Sequence, residues 1–180
     1  MREYKVEEFT ADIPVEDYIA RFRDSAKFTG FCRECRNYNR SWGCPPFEFD
    51  QLAYMRQWTT VRLWAVKITP DQQDLPLSAA REFIRPERMR IERAQLEMEK
   101  EHGGRSFAYV GECLYCDTCT RPQGKPCRHP ELVRPSLEAF GFDIGKTLAE
   151  LFGIDIKWGR DGKMPEYLTI VSGFFTDRPF

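Results

Sequence analysis

The sequence lacks the motifs of several large functional classes. It has no nucleotide-binding loop, no HExxH zinc motif and no GxSxG nucleophile elbow. Its net charge is −1, whereas a nucleic-acid binder usually carries a basic excess. No stretch approaches the roughly 18 apolar residues that span a bilayer, and the first residues lack the apolar core of a secretory signal. We therefore expect a cytoplasmic protein that binds neither nucleic acid nor membrane, in which any catalysis rests on metal centres.

The composition is that of a globular protein. The chain has 180 residues, of which 42% are hydrophobic and 14% aromatic. A chain of this length buries roughly 70% of the surface that its unfolded state exposes, so it does not need a metal merely to fold. We expect a single metal-binding domain over residues 1–180, with cysteine loops at about 31–46 and 111–130.

The hydrophobic pattern predicts an α+β fold. Helices are predicted over Pro14–Lys27, within Phe47–Trp58, over Ser78–Glu101 with a break or kink at Pro86, and from the Asp143 cap to Gly153. Strands are predicted over Thr59–Ile68, Arg105–Val110, Ile154–Trp158 and Tyr167–Phe175. This order of elements predicts a small mixed or antiparallel sheet with flanking helices and two cysteine-rich metal-binding loops.

Seven cysteines are the most informative residues of the chain. An odd number fits a closed disulfide framework badly, and clustered thiols in a reducing compartment are more often metal ligands than disulfides. Their spacing separates them into two groups. The four-cysteine group is Cys113, Cys116, Cys119 and Cys127, and the three-cysteine group is Cys32, Cys35 and Cys44.

The four-cysteine group opens with C-x2-C-x2-C. Three cysteines at this spacing can wrap one face of a cubane, with each thiolate on a different iron, and the same triplet opens the bacterial ferredoxin motif. Zinc sites more usually use paired C-x2-C knuckles. The spacing therefore favours a 4Fe–4S cluster, and a zinc site that uses only part of the triplet is the alternative.

The three-cysteine group consists of a C-x2-C pair and a cysteine followed by two prolines. Three interpretations remain open. In the first, these thiolates hold a cluster of their own, in which one iron is open or bound by a non-cysteine ligand. In the second, Cys44 or Cys127 completes the cluster of the other group. In the third, Cys32, Cys35 and Cys44 form a zinc site with a non-cysteine fourth ligand.

The number of thiolates limits what two clusters can be. Two fully cysteine-ligated cubanes need about eight thiolates, and the chain has seven. If two clusters exist, at least one iron lacks a cysteine, and that iron would be an exchangeable Lewis-acid position. An open iron is what distinguishes a possible catalyst from an electron carrier.

Basic residues interleave both groups. They are Arg33, Arg36, Arg40, Arg121, Lys125, Arg128 and Arg134. Positive charge and hydrogen bonds near cluster sulfurs stabilise the anionic cluster and raise its reduction potential. The alternative is that these are ordinary solvated side chains of two loops.

The motifs around the cysteines resemble a known family. They are Phe31-Cys32-x-x-Cys35-x-x-Tyr38, Trp42-x-Cys44-Pro45-Pro46, Gly111-x-Cys113-x-x-Cys116-x-x-Cys119, Pro126-Cys127-Arg128-His129-Pro130 and Arg134-Pro135-Ser136-Leu137-Glu138-Ala139. From about Phe31 onward the chain resembles prokaryotic predicted metal-binding proteins classed as a domain of unknown function. The resemblance implies a cysteine-bound metal centre in a prokaryotic, often anaerobic, setting, and the family has no settled activity.

The stretch from Arg134 to Asp143 also carries this resemblance. Ser136 and Asp143 are suited to cap short helices. Glu138 and Asp143 are alternatively candidates to reach an open iron or a substrate. Their structural and functional roles both remain open at this point.

Three functions follow as hypotheses. The first is a protein with one or two 4Fe–4S clusters that transfers electrons to a redox partner protein in an anaerobic system. The second is an enzyme whose three-cysteine cluster binds a small-molecule substrate at an open iron. The third is a zinc-stapled interaction domain without a redox role.

Overall fold

A computed structural model describes residues 3–108 and 111–178 of the chain. Four strands form one antiparallel sheet in the order β1-β2-β4-β3. The strands are β1 Tyr4–Pro14, β2 Thr60–Pro70, β3 Arg105–Phe107 and β4 Leu168–Thr176. The helices are α1 Val15–Phe22, α2 Ser25–Glu34, α3 Gln51–Met55, α4 Ala80–His102 and α5 Ile144–Thr147. This arrangement confirms the predicted α+β class with an antiparallel sheet and flanking helices.

The sheet is covered on both faces because strand residues alternate between them. On one face, Val66 and Ile68 of β2 pack with Phe83 and Ile91 of α4. On the other, alternate residues of the same strand join α1, α5 and the 3-10 turn Glu138–Phe140 in the larger hydrophobic core. The central strands β2 and β4 are therefore buried on both sides, and the segments that carry the cysteines lie outside the sheet.

Strand β1 was not among the predicted elements. It pairs along its whole length with β2, for example Val6 with Ile68 and Phe9 with Ala65. Tyr4 and Val6 pack on the α4 side, whereas Phe9 and Ile13 pack on the opposite side. The apolar residues thus change phase along the strand, which hides the period of two that sequence patterns rely on.

Three other predictions about local structure were wrong. The helix predicted over Pro14–Lys27 is two helices, because Arg23 is extended and Asp24 starts α2 as its N-cap by accepting a hydrogen bond from the Lys27 backbone N–H. Helix α2 continues to Glu34, so Cys32 lies in a helix rather than in a loop. Residues Ile154–Trp158, predicted as a strand, are irregular, with Ile154 and Ile156 in the core.

The long helix and the last strand are close to the predictions. Helix α4 runs through Pro86 without a break and ends at Gly103, whose φ of 70° suits glycine. Asp143 caps α5, and a π-helical turn over Leu148–Phe152 carries the chain on to Gly153. The strand predicted over Arg105–Val110 is observed as the shorter β3, Arg105–Phe107. The last two residues of the prediction, Tyr109 and Val110, lie outside the described residues. In the part of the chain that the structure describes, no helix is long and apolar enough to cross a membrane.

Candidate metal centre

All seven cysteines carry free thiols, and the fold gathers them in two neighbourhoods. The four-cysteine group lines one cavity of about 280 Å³, together with Arg40, Arg128 and His129. In the three-cysteine group, Cys32 lies in the last turn of α2, Cys35 follows as its C-cap, and Cys44 lies in the next loop. Within residues 3–108 and 111–178, no group of three or more His, Cys, Asp or Glu side chains is placed so that it could hold a metal ion. Metal ligation by these cysteines remains a prediction.

The four-cysteine group is electrostatically coupled. Burial raises the pKa of the Cys113 thiol, and the charges of Cys116, Cys119 and Cys127 raise it further, against a lowering by the Tyr115 backbone N–H. Thiolates that oppose each other's ionisation are a set that a cation would hold in the charged form. Four thiols around one cavity are therefore chemically suited to a thiolate-held metal group.

Two thiols of the three-cysteine group, those of Cys44 and Cys32, also have raised pKa values. Burial raises the pKa of Cys44 to about 11; a hydrogen bond from Ser41 opposes this, and the charges of Cys35 and Cys32 add to it. Burial likewise raises the pKa of Cys32, followed by the charges of Cys35 and Glu138. Cys32 and Cys35 therefore act on Cys44, and the charges of Cys35 and Glu138 act on Cys32.

Backbone N–H groups point at sulfur in both groups. The His129 N–H donates to Cys127 Sγ at 3.4 Å, and the Asn37 N–H donates to Cys35 Sγ at 3.5 Å. Hydrogen bonds of this kind tune the reduction potential of a cysteine-bound cluster. His129 therefore reaches the four-cysteine group through its backbone, two residues beyond the cysteine to which it donates.

The two cysteine segments contact each other directly. Arg121, from the four-cysteine segment, donates hydrogen bonds to the carbonyl oxygens of Ser41, Cys44 and Pro46, and its guanidinium lies over the Trp42 ring with 5.2 Å to the centroid. In return, Trp42 Nε1 donates to the Lys125 carbonyl oxygen at 3.2 Å. Arg121, predicted only as positive charge near a cluster, thus joins the two segments, as does Arg36 through its ion pair with Glu112 at 3.2 Å.

Behind the cysteines, helix α4 buries charged side chains that the sequence pattern did not reveal. Arg88 Nε lies 2.7 Å from Glu92 Oε1, and both side chains are almost completely buried. Glu92 Oε2 accepts a hydrogen bond at 3.1 Å from the hydroxyl of Tyr115, which lies between Cys113 and Cys116. The spacing of four residues between Arg88 and Glu92 was the available signal, but their burial depends on distant segments.

A second buried ion pair fixes the chain just beyond Cys127. Arg134 donates to both oxygens of Glu99, at 2.7 and 2.5 Å, with side-chain exposures of 7% and 12%. Glu99 also accepts hydrogen bonds from the backbone N–H and the hydroxyl of Ser106 in β3. Burial by itself would raise the pKa of Glu99, but the hydrogen bonds from Arg134 and Ser106 outweigh it and lower this pKa. Glu99 thus joins α4, β3 and the segment that follows the four-cysteine group.

Glu138 and Asp143, the two acidic candidates, have different surroundings. Asp143 is engaged as the N-cap of α5, where it accepts from the Lys146 backbone N–H at 2.9 Å, and it also lies 3.9 Å from Lys27 Nζ. Glu138 is partly exposed as a whole residue, but its Oε2 has neither solvent contact nor a hydrogen-bond partner. Burial raises the pKa of Glu138 above its usual value.

Comparisons with known proteins agree with the chemistry of the donor set. A family model described as a predicted metal-binding protein, domain of unknown function 2284, matches residues 18–173. This range includes every cysteine of both groups. No curated protein and no solved structure matches the chain. The chain therefore belongs to the family of predicted metal-binding proteins that forms this domain of unknown function.

Proposed function

We propose that this metal-binding protein is an iron–sulfur protein that transfers electrons in an anaerobic redox system. Cys113, Cys116, Cys119 and Cys127 would hold one 4Fe–4S cluster, and the three-cysteine group would hold a second. The observation that carries the proposal is that the four-cysteine group lines a single cavity in which each of the other three thiols acts on Cys113.

Two features support an iron–sulfur cluster over a zinc ion in the four-cysteine group. The C-x2-C-x2-C spacing is that of the ferredoxin triplet. The cavity has a volume of about 280 Å³. A single water molecule needs only ~10–15 Å³ of cavity volume measured in the same way, so the cavity has room for a group of several atoms. A single zinc ion would need its four thiolates drawn tightly together, at about 2.3 Å from the metal.

Residues around the cavity would set the reduction potential of the cluster and would determine how closely a redox partner protein can approach it. A 4Fe–4S cluster supplies one-electron oxidation and reduction when bound. The N–H group of His129 stabilises negative charge on the Cys127 sulfur. Arg40 and Arg128 line the same cavity and add positive charge, which favours the reduced, more negative state. The four cysteines are partly exposed, so a redox partner protein can approach them.

Reversible reduction of the anaerobically purified protein tests this proposal. We expect a chemical reductant to produce an electron paramagnetic resonance signal of a reduced 4Fe–4S cluster, and oxidation to remove it without loss of iron. A protein that contains iron but gives no reversible signal over the accessible potential range would contradict electron transfer.

A cavity beside Cys35 favours an enzyme as the second candidate function. This arginine-lined cavity has a volume of about 540 Å³ and lies between α4 and the two cysteine segments. Its charged lining residues are Arg36, Arg81, Arg85, Arg88 and Glu112. Arg36 and Arg81 pair with Glu112, at 3.2 and 3.0 Å, and Arg88 pairs with Glu92, so Arg85 adds the positive charge that suits a small carboxylate or phosphate. Such a substrate would lie next to the exposed thiol of Cys35, where an iron without a cysteine ligand would be open to it.

The enzyme candidate predicts that small anions change the spectrum of the second cluster. We expect carboxylates or phosphates at millimolar concentration to alter its electron paramagnetic resonance signal, and Arg85→Ala to weaken the effect about tenfold or more, because one charge-assisted contact is lost. Arg93→Ala is the matched control, since Arg93 is exposed on the same helix and outside the cavity. A signal that no anion changes would leave the carrier as the better account.

A further inference from the structure

The arginine-lined cavity also has an apolar wall, which the enzyme candidate does not use. Its apolar side chains come from the turn before α4, from α4 itself and from the four-cysteine segment; they are Leu77, Ala80, Ile84 and Leu114. The volume of about 540 Å³ lies within the roughly 300–1,000 Å³ of ordinary small-molecule sites, which combine an apolar lining with a few polar groups. The cavity therefore has room for a ligand larger than a bare carboxylate or phosphate.

The arginines of the cavity lie on one face of helix α4. Arg81, Arg85 and Arg88 follow one another at intervals of four and three residues, and all three line the cavity. Residues at these intervals are neighbours on a helix surface, and like charges placed in this way repel one another. The helix therefore presents a row of positive charge to the cavity, which anions would stabilise.

Carboxylates of the chain offset only part of this charge. Glu112 pairs with Arg81 at 3.0 Å at one end of the row, and Glu92 pairs with the buried Arg88 at 2.7 Å at the other end. In the part of the chain that the structure describes, no ion pair joins a carboxylate to Arg85, which is exposed between them. Arg85 is therefore the guanidinium that remains for the head group of a ligand.

Contacts between segments hold the walls of the cavity in place. The ion pairs of Glu112 join α4 to both cysteine segments. Asn37 Nδ2 donates to the Gly111 carbonyl oxygen at 3.0 Å, and the Leu77 N–H donates to the Gly162 carbonyl oxygen at 2.7 Å. A site whose walls are fixed before binding loses less conformational entropy when a ligand enters it.

We propose that this cavity binds an amphipathic anion, in which a carboxylate or phosphate head group contacts Arg85 and an apolar body packs against Leu77, Ile84 and Leu114. The inference rests on the enzyme candidate of the proposed function and deepens it by naming the class of substrate. Binding itself requires no iron, because arginine and aliphatic side chains make all of these contacts.

Isothermal titration calorimetry of the anaerobically purified protein tests the inference with hexanoate as the probe. Acetate carries the same head group without the apolar body, and hexanol carries the apolar body without the charge. We expect hexanoate to bind about tenfold or more tightly than either, because it alone makes both kinds of contact. Hexyl phosphate, titrated in the same way, identifies the preferred head group as that of the ligand that binds more tightly.

Two pairs of variants locate the binding site. Arg85→Ala should weaken hexanoate binding about tenfold or more, whereas Arg93→Ala, on the same helix and outside the cavity, should leave it unchanged. Leu77→Ser should weaken hexanoate binding and leave acetate binding unchanged. Its control is Met89→Ser, which replaces another exposed apolar side chain outside the cavity and should change neither.

Acetate or hexanol that binds as tightly as hexanoate would overturn the inference, and so would equal effects of Arg85→Ala and Arg93→Ala. Iron and sulfide analysis of the same preparation keeps this result separate from the proposed function. Protein that binds hexanoate as expected but contains no iron would contradict the iron–sulfur proposal alone. Protein with intact clusters that binds no hexanoate would contradict this inference alone.

Discussion

Replacing Cys116 by serine is expected to remove the cluster of the four-cysteine group and about half of the iron and sulfide of the chain. Cys116 is the middle cysteine of the triplet and lies in the cavity with Cys113, Cys119 and Cys127. Loss of one thiolate leaves one iron of the proposed cluster without its soft ligand. Iron and sulfide analysis of the anaerobically purified variant measures the effect.

Cys44→Ser is the matched variant for the other group. It should remove the iron of the three-cysteine centre and leave that of the four-cysteine centre, because each group is coupled within itself. The two variants then act as controls for each other. Complete loss of iron in both would show that the groups form one centre, as in the interpretation in which Cys44 or Cys127 crosses over.

Replacing Arg134 by methionine is expected to lower the free energy of unfolding by about 2–3 kcal/mol, because a largely buried carboxylate loses two charge-assisted hydrogen bonds and keeps those from Ser106 and, at 3.7 Å, the charge of Arg105. Arg134 and Glu99 form a two-bond ion pair with little solvent exposure, and Glu99 also holds Ser106. Chemical denaturation of the anaerobic protein measures the loss. Because Arg134 fixes the chain beyond Cys127, we also expect the four-cysteine centre to lose iron more readily.

Arg56→Met is the control for this prediction. Arg56 makes a similar two-bond pair with Glu16, at 2.8 and 3.1 Å, but both side chains are at least half exposed. Exposed pairs of this kind contribute little to stability, because water screens both charges, so we expect a much smaller loss than for Arg134→Met. Equal destabilisation by the two substitutions would contradict the structural role given to the Arg134–Glu99 pair.

The sequence predicts best those features that depend on neighbouring residues. The spacing of the cysteines separates them into the two groups that the structure brings into two neighbourhoods, and the patterns of β2, α4 and β4 are regular enough to be recognised. The Asp143 cap and the Ser136 hydroxyl, which accepts from the Ala139 N–H at 3.1 Å, are equally local.

Features that depend on distant residues were not predictable. Strand β1 has apolar residues on both faces, so its pattern changes phase where the covering layer changes. The charged residues of α4 resemble a solvated surface until Tyr115, Arg134 and Ser106 are known to meet them. The contacts of Arg121 between the two cysteine segments were hidden for the same reason, because its carbonyl partners lie about 75–80 positions earlier in the chain.

The two functional candidates differ in what occupies the iron that lacks a cysteine. A ligand supplied from within the chain would complete the cluster and favour an electron carrier, whereas an anion in the arginine-lined cavity would favour an enzyme.

The most direct test of the account is the quantification of iron, acid-labile sulfide and zinc in protein purified without oxygen. Two clusters predict a brown protein with about eight iron and eight sulfide ions per chain, and a single cluster predicts about four of each. A colourless protein that contains only zinc would contradict the iron–sulfur assignment and leave the zinc-stapled domain as the account of these seven cysteines.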